Sequence, residues 1–278
     1  MCKRTTRDPL LRTLLDRYQL HLLAVPREGS EVGDLYVELD GRVSPPGNVK
    51  HLLTPEFTLP PLKAAEAMAS IAGLASRALE SQHGLDLLEG FIKAYAGAQV
   101  AASIRAAHAA NGSKELRFSF SEPTRDSLDI LELGQRLTGH RLQTSHPLLT
   151  PKSRCYLVTA VARTAGISII AAADSEHALS VDVAALNAQL AHSKLRVENR
   201  ASHEVRYAGP KPLAFGVELH ELSYDHERRE LRLGIPKKPM RVRSMQEAET
   251  ITAHIDSSRA AFLGGPDGDA LLHLVDAL

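Results

Sequence analysis

The segment from Cys155 to Asp225 constrains the fold more than any other part of the chain. It contains a series of β-like runs separated only by short breaks. Strands linked by short turns pair antiparallel, whereas parallel strands need long crossovers. The segment therefore predicts an antiparallel sheet in an α+β domain rather than a βαβ fold. The predicted strands are Cys155–Arg163 and Ile167–Ala173, joined near Ala165-Gly166, then Leu195–Asn199, Glu204–Ala208, Leu213–Tyr224 and Arg229–Leu233, with a short helix at Ala184–Ala191.

The N-terminal part predicts a helix, two strands and a loop. Asp8 is a good N-cap and Pro9 suits the first helical turn, so a short amphipathic helix begins here. Leu20–Val25 and Asp34–Leu39 have the character of strands. Residues 44–61 are rich in Pro and Gly and read mostly as loop.

Residues 62–110 differ from the rest because they are rich in Ala and contain no Pro. Apolar side chains recur at helical spacing, so the sequence predicts two helices separated by a glycine. The helical positions are Met68, Ile71, Ala75 and Leu79, then Leu88, Ile92 and Tyr95; Gly84 separates the helices, Asn111-Gly112 ends the second, and a strand at Lys114–Phe120 and a helix at Ser127–Leu137 follow.

The composition argues against several classes of protein. Lys and Arg total 33 and are balanced by 33 Asp and Glu, which argues against a nucleic-acid binder. No apolar stretch approaches the roughly 18 residues of a spanning helix. The N-terminus has neither the apolar core nor the cleavage site of a secretory signal. Two Cys do not form a disulfide framework, so a reducing cytosol is expected.

The sequence contains no recognisable catalytic or metal-binding motif. Phosphate-binding loops, dinucleotide fingerprints, zinc-protease and nucleophile-elbow patterns are all missing, and the His residues are scattered. Cys155, His140 and Asp126 can be written as a nucleophile set, but Cys155 starts an apolar strand, where a buried inert thiol is expected. We therefore predict that the chain is not an enzyme and has no catalytic residue, metal or cofactor.

The C-terminal residues have the character of a detachable segment. Gly264–Asp269 is a flexible break, and the four apolar residues after it share one helical face: Leu271, Leu274, Val275 and Leu278. Burial of such a side chain contributes roughly 1.5–3 kcal/mol. The segment is read either as an inhibitory latch or as a stretch that completes the core.

The N-terminus combines a Cys with basic neighbours. One acyl chain gives marginal membrane affinity, and a basic cluster adds attraction to anionic headgroups. Cys2, with Lys3, Arg4 and Arg7, fits this pattern, although a frayed terminal thiol is the alternative. A second basic stretch is either a headgroup contact or a solvated surface; it comprises Arg228, Arg229, Arg232, Lys237, Lys238, Arg241 and Arg243.

Three separated stretches resemble bacterial gasdermins in order, spacing and strand character. They are the opening DPLLRTLLDRYQLHLLAVPREGSEVGDLYV, a Cys near the N-terminus, and the run YLVTAV, ISI, LSVDVAALNAQL and KLRVENRASHEVRYAGPKPLAFGVELHELSYD. The resemblance extends from Cys2 to about Leu233. It implies a single gasdermin-like domain, a twisted antiparallel sheet flanked by helices, with a short C-terminal inhibitory tail.

The resemblance also implies a function. Bacterial gasdermins are cytosolic, autoinhibited effectors of antiphage defence, and their N-terminal Cys is palmitoylated. An activating protease removes a C-terminal peptide, and the monomer then inserts into the inner membrane lipids, forms a homo-oligomeric β-barrel pore and kills the cell. Palmitate on Cys2 is the only attached group this implies. An acylated peripheral membrane scaffold without pore activity is the alternative function.

The resemblance sets the expected boundaries. The pore-forming domain is expected to span 1–259 and the autoinhibitory peptide 260–278. A protease of trypsin-like specificity would cut after Arg259, whereas one with an apolar pocket would cut at Phe262 or Leu263. Residues 62–120 and 155–198 are the segments that the resemblance implies change into membrane strands. From the residues alone, ordinary Ala-rich helices packed on a sheet are the alternative.

Overall fold

A computed structural model describes most of the chain before residue 234 and two short segments near the C-terminus. The described residues are 9–39, 42–68, 71–76, 83–110, 116–142, 153–171, 186–188, 190, 194–201, 204–225, 227, 230–233, 262–264 and 270–273. In chain order the elements are α1 (Pro9–Tyr18), β1 (His21–Arg27), β2 (Asp34–Leu39), β3 (Arg42–Asn48), α2 (Val49–Leu52), β4 (Leu53–Thr54), β5 (Lys63–Ala67), β6 (Ile71–Ser76), α3 (His83–Ala96), α4 (Ala98–Ala110), β7 (Leu116–Ser121), β8 (Thr124–Ser127), α5 (Ile130–Leu137), β9 (Arg141–Leu142), β10 (Arg154–Ala171), β11 (Arg196–Ala201), β12 (Glu204–Asp225), β13 (Glu230–Leu233), β14 (Phe262–Gly264) and β15 (Ala270–His273).

The sheet is built on two long antiparallel strands, β10 with 18 residues and β12 with 22. Their ladder runs from Cys155 opposite Leu222 to Ile170 opposite Glu204, with three irregularities in register. The predicted turn near Ala165-Gly166 is wrong, because β10 continues through this position with only a shift in register. Bulges of this kind bend a strand and increase its twist without ending it. For the same reason the two strands predicted within 204–224 are one strand.

Shorter strands flank this central pair, and every pairing in the sheet is antiparallel. The free side of β10 is covered in turn by β2, β8 and β7. The free side of β12 is covered by β11, β1 and β13. Among the described residues, the sheet contains 13 strands and is not closed. The predicted α+β domain with an antiparallel sheet is therefore confirmed.

The Ala-rich segment begins with strands rather than with the predicted helix. Strand β5 pairs with β8, and β6 pairs with β7. The helical spacing of Met68, Ile71 and Ala75 is overridden because pairing with neighbouring strands, not local propensity, decides the backbone conformation here. Residues 44–61, predicted as mostly loop, also contain part of β3, the short helix α2 and β4.

The second predicted helix is confirmed, but it is divided into α3 and α4. The division lies at Gly97, which has φ +85°. Gly84 does not separate two helices as predicted; it lies inside α3. A Cβ atom at Gly84 would lie 2.3 Å from Cε2 of Phe118. The glycine is therefore required by close packing of α3 on β7.

Two hydrophobic cores follow one another along the central pair. The first contains the buried side chains of α1, α3, α4, β6, β7 and β11, with Phe120 stacked on Phe215 at 4.2 Å between ring centroids. The second contains those of β2, β3 and α5, with Tyr36 and Tyr156 at its centre. Helix α5 is capped by Asp129, whose side chain accepts hydrogen bonds from the amides of Leu131 and Glu132. Helices α3 and α4 therefore pack in the first core, whereas α5 packs in the second.

Two of the described histidines are buried in the cores. His21 lies in β1, and neither ring nitrogen has a hydrogen-bond partner among the described residues. In α4, the Nε2 atom of His108 lies 2.7 Å from the hydroxyl of Tyr207. Burial lowers the pKa of each imidazole from its usual 6.5 to about 4. Both rings are therefore neutral in the folded protein at neutral pH.

We expect Gly84→Ala to reduce the free energy of unfolding by about 1–3 kcal/mol, although Ala has the better helix propensity. The added methyl group would overlap the Phe118 ring. Urea denaturation measures the change, and Gly29→Ala is the matched control because a Cβ atom there meets nothing within 4 Å. Equal or greater stability of Gly84→Ala would contradict this account of the packing.

We expect the protein to lose stability as the pH falls from 7 to 5. The unfolded chain takes up protons on His21 and His108 near pH 6.5, whereas the folded protein does so only near pH 4. Each imidazole therefore lowers the free energy of unfolding by about 2 kcal/mol at pH 5. His108→Gln removes one of these contributions, so urea denaturation at both pH values should show a pH-dependent loss smaller by about 2 kcal/mol. The same loss in both proteins would contradict the prediction.

Candidate functional site

The chain between β6 and β7 forms a helical insert, defined here as residues 83–110. Strands β6 and β7 pair directly, with Leu74 opposite Phe118 and Ser76 opposite Leu116. Along the chain, helices α3 and α4 therefore connect two strands that are already paired with each other in an antiparallel ladder. An insert of this kind can change its conformation while its two ends stay where the sheet holds them.

The helical insert is packed on the sheet mainly by apolar side chains. Those of α3 and α4 that join the first core are Leu85, Leu87, Leu88, Phe91, Ile92, Ala101 and Ile104. Between the helices, the Arg105 guanidinium donates a hydrogen bond to Asp86 at 2.8 Å and forms an ion pair with Glu89 at 3.0 Å. The two helices therefore form one unit with a buried apolar face and an outer surface of small residues interspersed with polar ones.

Two polar contacts add to the attachment of the insert to β12. His108 of α4 contacts Tyr207 through its Nε2 atom. The hydroxyl of Tyr95 in α3 donates a hydrogen bond to the carbonyl of Lys211. Burial, followed by the nearby charge of Glu28, raises the pKa of Tyr95 to about 12, so this hydroxyl keeps its proton at neutral pH. Gly209 leaves room for the ring, because a Cβ atom there would lie 2.4 Å from it.

The last described residues form the C-terminal hairpin, consisting of β14 and β15. Phe262 pairs with His273 and Gly264 with Ala270 in a separate two-stranded sheet. The predicted helical face is therefore wrong at Leu271, which lies in β15, because the chain on either side of the glycine-rich break pairs with itself. Backbone Cα atoms of β15 lie within 8 Å of β1, and those of β14 within 8 Å of β3.

Strand β1 is in contact with both the C-terminal hairpin and the helical insert. It pairs with β12, with His21 opposite Val217, and α3 also lies within 8 Å of it. The C-terminal hairpin and the helical insert therefore share β1 as a neighbour. The sequence alone gave no signal for this arrangement, because β1 and β15 are more than 240 residues apart in the chain.

Several predicted site residues lie outside the described part of the chain. These are Cys2, Lys3, Arg4, Arg7, Arg259, Leu274, Val275 and Leu278, together with all of the second basic stretch except Arg232, which lies in β13. Of the alternative cleavage positions, Phe262 and Leu263 lie in β14.

The structure does not assemble the nucleophile set Cys155, His140 and Asp126. Asp126 accepts hydrogen bonds from the Ala65 amide at 2.8 Å and from Arg163 at 3.2 Å. His140 packs edge-on against Phe57 at 5.0 Å between ring centroids. Burial, followed by the charge of Glu221, raises the pKa of Cys155 to about 12, so its thiol is unreactive at neutral pH.

The described residues contain neither a metal-binding cluster nor a membrane-spanning helix. No group of three or more His, Cys, Asp or Glu side chains there is placed to hold a metal ion. None of the helices described is both long and apolar enough to cross a bilayer.

Comparisons with known proteins identify the family. The profile of the Bacterial Gasdermin Family matches residues 20–230. Curated gasdermins bGSDM from Vitiosangium sp. and Lysobacter enzymogenes are 27% and 23% identical, over 77% and 80% of this chain and 81% and 83% of their own lengths. A solved bacterial gasdermin from Bradyrhizobium tropiciagri shares the fold, with a TM-score of 0.54 and 18% identity over 83% of this chain and 92% of that chain.

The match covers most of the chain and includes the helical insert. It confirms the resemblance found in the sequence. Gasdermins are pore-forming effectors, so the prediction that the chain is not an enzyme is confirmed as well. We conclude that this chain belongs to the bacterial gasdermin family.

Proposed function

We propose that the protein is an autoinhibited pore-forming effector of bacterial antiviral defence. At rest it is a cytoplasmic monomer whose C-terminal hairpin holds the body in its folded form. An activating protease removes residues 260–278, and the body, 1–259, then enters the inner membrane. Homo-oligomers on membrane lipids form a pore lined by β-strands, and the cell dies.

The observation that carries this proposal is the shared position of β1. Strand β15 and helix α3 both lie against β1. Loss of the C-terminal hairpin removes one neighbour of the strand that also supports the helical insert. Along the chain, the helical insert connects two strands that pair with each other, and it is rich in small residues. Removal of the C-terminal hairpin can therefore loosen the helical insert, which is the element that is to enter the membrane.

The tether makes the latch effective while the chain is intact. A segment joined to its binding surface by a flexible linker has an effective concentration on the order of millimolar. Cleavage converts this contact into a bimolecular one, which is too weak at cellular concentrations to keep a short peptide bound. The apolar side chains of Leu271, Leu274, Val275 and Leu278 are those we expect to leave with the peptide.

Cleavage after Arg259 fits the strand arrangement better than the alternatives. It lies before β14, so both strands of the C-terminal hairpin would leave together. Phe262 and Leu263 lie within β14, and a protease would have to open its pairing with β15 to reach them. We therefore propose Arg259 as the scissile position.

The N-terminus supplies the membrane anchor in this proposal. Palmitate attached to Cys2 would add one buried acyl chain, and Lys3, Arg4 and Arg7 would contact anionic headgroups. Two such signals together give stable membrane binding where one does not.

We expect proteolytic opening of the full chain to permeabilise vesicles. A recognition sequence for a site-specific protease, inserted between Ser258 and Arg259, allows cleavage of the folded protein without its natural protease. Vesicles of phosphatidylethanolamine and phosphatidylglycerol loaded with a self-quenched dye should leak after cleavage and stay sealed before it. The control is the chain without the inserted sequence, treated with the same protease. Complete cleavage with sealed vesicles would falsify both the latch and the pore.

The same measurement tests the alternative function. An acylated peripheral scaffold would bind the vesicles after or before cleavage and leave the dye inside. Co-sedimentation with vesicles, run beside the leakage assay, therefore separates membrane binding from membrane permeabilisation.

We expect Cys2→Ala to weaken membrane association of the activated protein by about tenfold or more, because a buried acyl chain contributes roughly 0.8 kcal/mol for each CH2 group. Intact-mass analysis of natively expressed protein, before and after hydroxylamine, should show a thioester-linked palmitoyl group that the variant lacks. Cys155→Ala is the matched control, because that thiol is buried. An unmodified Cys2 together with unchanged membrane binding of the variant would contradict the proposal.

A further inference from the structure

We propose that the ladder between β6 and β7 sets the register of a membrane hairpin that forms from the helical insert. The hairpin turns at Tyr95-Ala96-Gly97 and places the even-numbered positions from Leu88 to Ile104 against lipid. This inference rests on the proposed pore function and specifies which residues line each side of the membrane strands.

The register follows from the pairs that already exist. Leu74 faces Phe118, Ala75 faces Arg117 and Ser76 faces Leu116, so each step forward on one strand is one step back on the other. Continued without a slip, this pairing converges on Ala96, which lies 20 residues after Ser76 and 20 before Leu116. Extending a ladder from paired residues avoids the entropy of closing a new loop.

The point of convergence is a suitable turn. Residues 95–97 lie where α3 ends and α4 begins. Gly97 already has φ +85°. Three-residue hairpin loops place their last residue in the left-handed region, where Gly is favoured. Ala94 and Ala98 would form the closing pair, so the break between the two resting helices and the turn of the hairpin coincide.

The residue pattern agrees with this register. The nine even-numbered positions from 88 to 104 read Leu, Gly, Ile, Ala, Ala, Ala, Val, Ala and Ile, with no polar side chain among them. Of the eight odd-numbered positions between them, Glu89, Lys93, Gln99 and Ser103 are polar, Tyr95 and Gly97 fall in the turn, and Phe91 and Ala101 are apolar. Such alternation is typical of strands with one face to lipid and one to water. The arms within this stretch, 88–94 and 98–104, have seven residues each and continue toward the existing ladder, so each can reach the roughly 9–11 residues of a membrane-spanning β-strand.

The lipid face of the hairpin would continue the apolar face of the resting sheet. Directly opposed residues of antiparallel strands lie on the same face. Phe118 faces both Leu74 and Ile169, and Ile169 faces Val205. Phe118, Ile169 and Val205 are all buried in the first core. The even-numbered residues of the hairpin fall on this face, and the face is the one that the helical insert joins at rest.

The same register preserves the ion pair of the insert. Glu89 and Arg105 are 3.0 Å apart between α3 and α4. In the hairpin both have odd numbers, so both side chains lie on the polar face, and Arg105 is diagonal to Glu89. Their charges would not have to enter lipid during the change.

Neighbouring residues that are equally exposed at rest provide the test. The pairs Lys93 and Ala94, Ala98 and Gln99, and Ala102 and Ser103 are all exposed on the helical insert. Each is replaced singly by Cys in the full chain that carries the inserted protease site and keeps Cys2, the proposed anchor. Every variant is labelled with an environment-sensitive fluorophore, and the parent chain treated in the same way gives the signal of Cys2 alone. Cys155 is buried and stays unlabelled. Emission and dye leakage are recorded on the same phosphatidylethanolamine and phosphatidylglycerol vesicles before and after cleavage.

We expect labels at 94, 98 and 102 to shift to blue and brighten several-fold after cleavage, and labels at 93, 99 and 103 to remain in an aqueous environment. Paramagnetic lipids should quench only the first set. Helices lying on the membrane would move all six labels together or none, and a slipped register would exchange the two sets. Either result with leakage intact overturns this inference while the pore function stands. Sealed vesicles after full cleavage would overturn both.

Discussion

The hydrogen-bonded ladder between β10 and β12 supports the rest of the molecule. Six shorter strands pair directly with one or the other of these two strands, three on each free side. Backbone donors and acceptors in a buried sheet must be paired, so each segment of the long strands requires its own partner. The irregularities in register bend the pair, which allows one ladder to serve two hydrophobic cores.

This arrangement would allow a stable body to carry an element that changes its fold, as the proposed function requires. The second core, with β2, β3 and α5, lies away from the helical insert. The insert is attached through one face of the first core and through the contacts of Tyr95 and His108. These contacts must be given up for the insert to leave, and the β10–β12 ladder can persist. An open sheet edge is not tolerated in lipid, so pairing between copies would have to close the inserted strands into a ring.

The strand character of β1, β2, β7 and β11 could be predicted from the sequence, since short apolar runs between turn residues mark each one. Predictions were wrong where local and long-range preferences disagreed. Met68, Ile71 and Ala75 have helical spacing, yet this part of the chain forms β5 and β6 because β8 and β7 offer partners. Gly84 was read as a break because its true reason, the ring of Phe118, is more than 30 residues away in the chain.

The candidate site was predictable only in its parts. The Ala-rich segment stands out in the sequence, and the detachable tail remains a prediction. The helical face predicted for the tail is wrong at Leu271, where a strand partner lies across the glycine-rich break. The alternation over 88–104 is present in the sequence, but it is masked by an equally good helical period. The register that would place these alternate positions on one face of a hairpin is seen only in the β6–β7 ladder.

The sequence by itself determined the family, the absence of a catalytic motif, the strand character of most of the sheet and the ambivalence of residues 88–104, because each depends on residue type and short-range spacing. The tertiary structure alone decided which strands pair, in which register, and that β15 and α3 share β1 as a neighbour. The physical reason is that strand pairing joins residues far apart in the chain. Many registers satisfy the same local pattern, and only the packing of the two cores selects one.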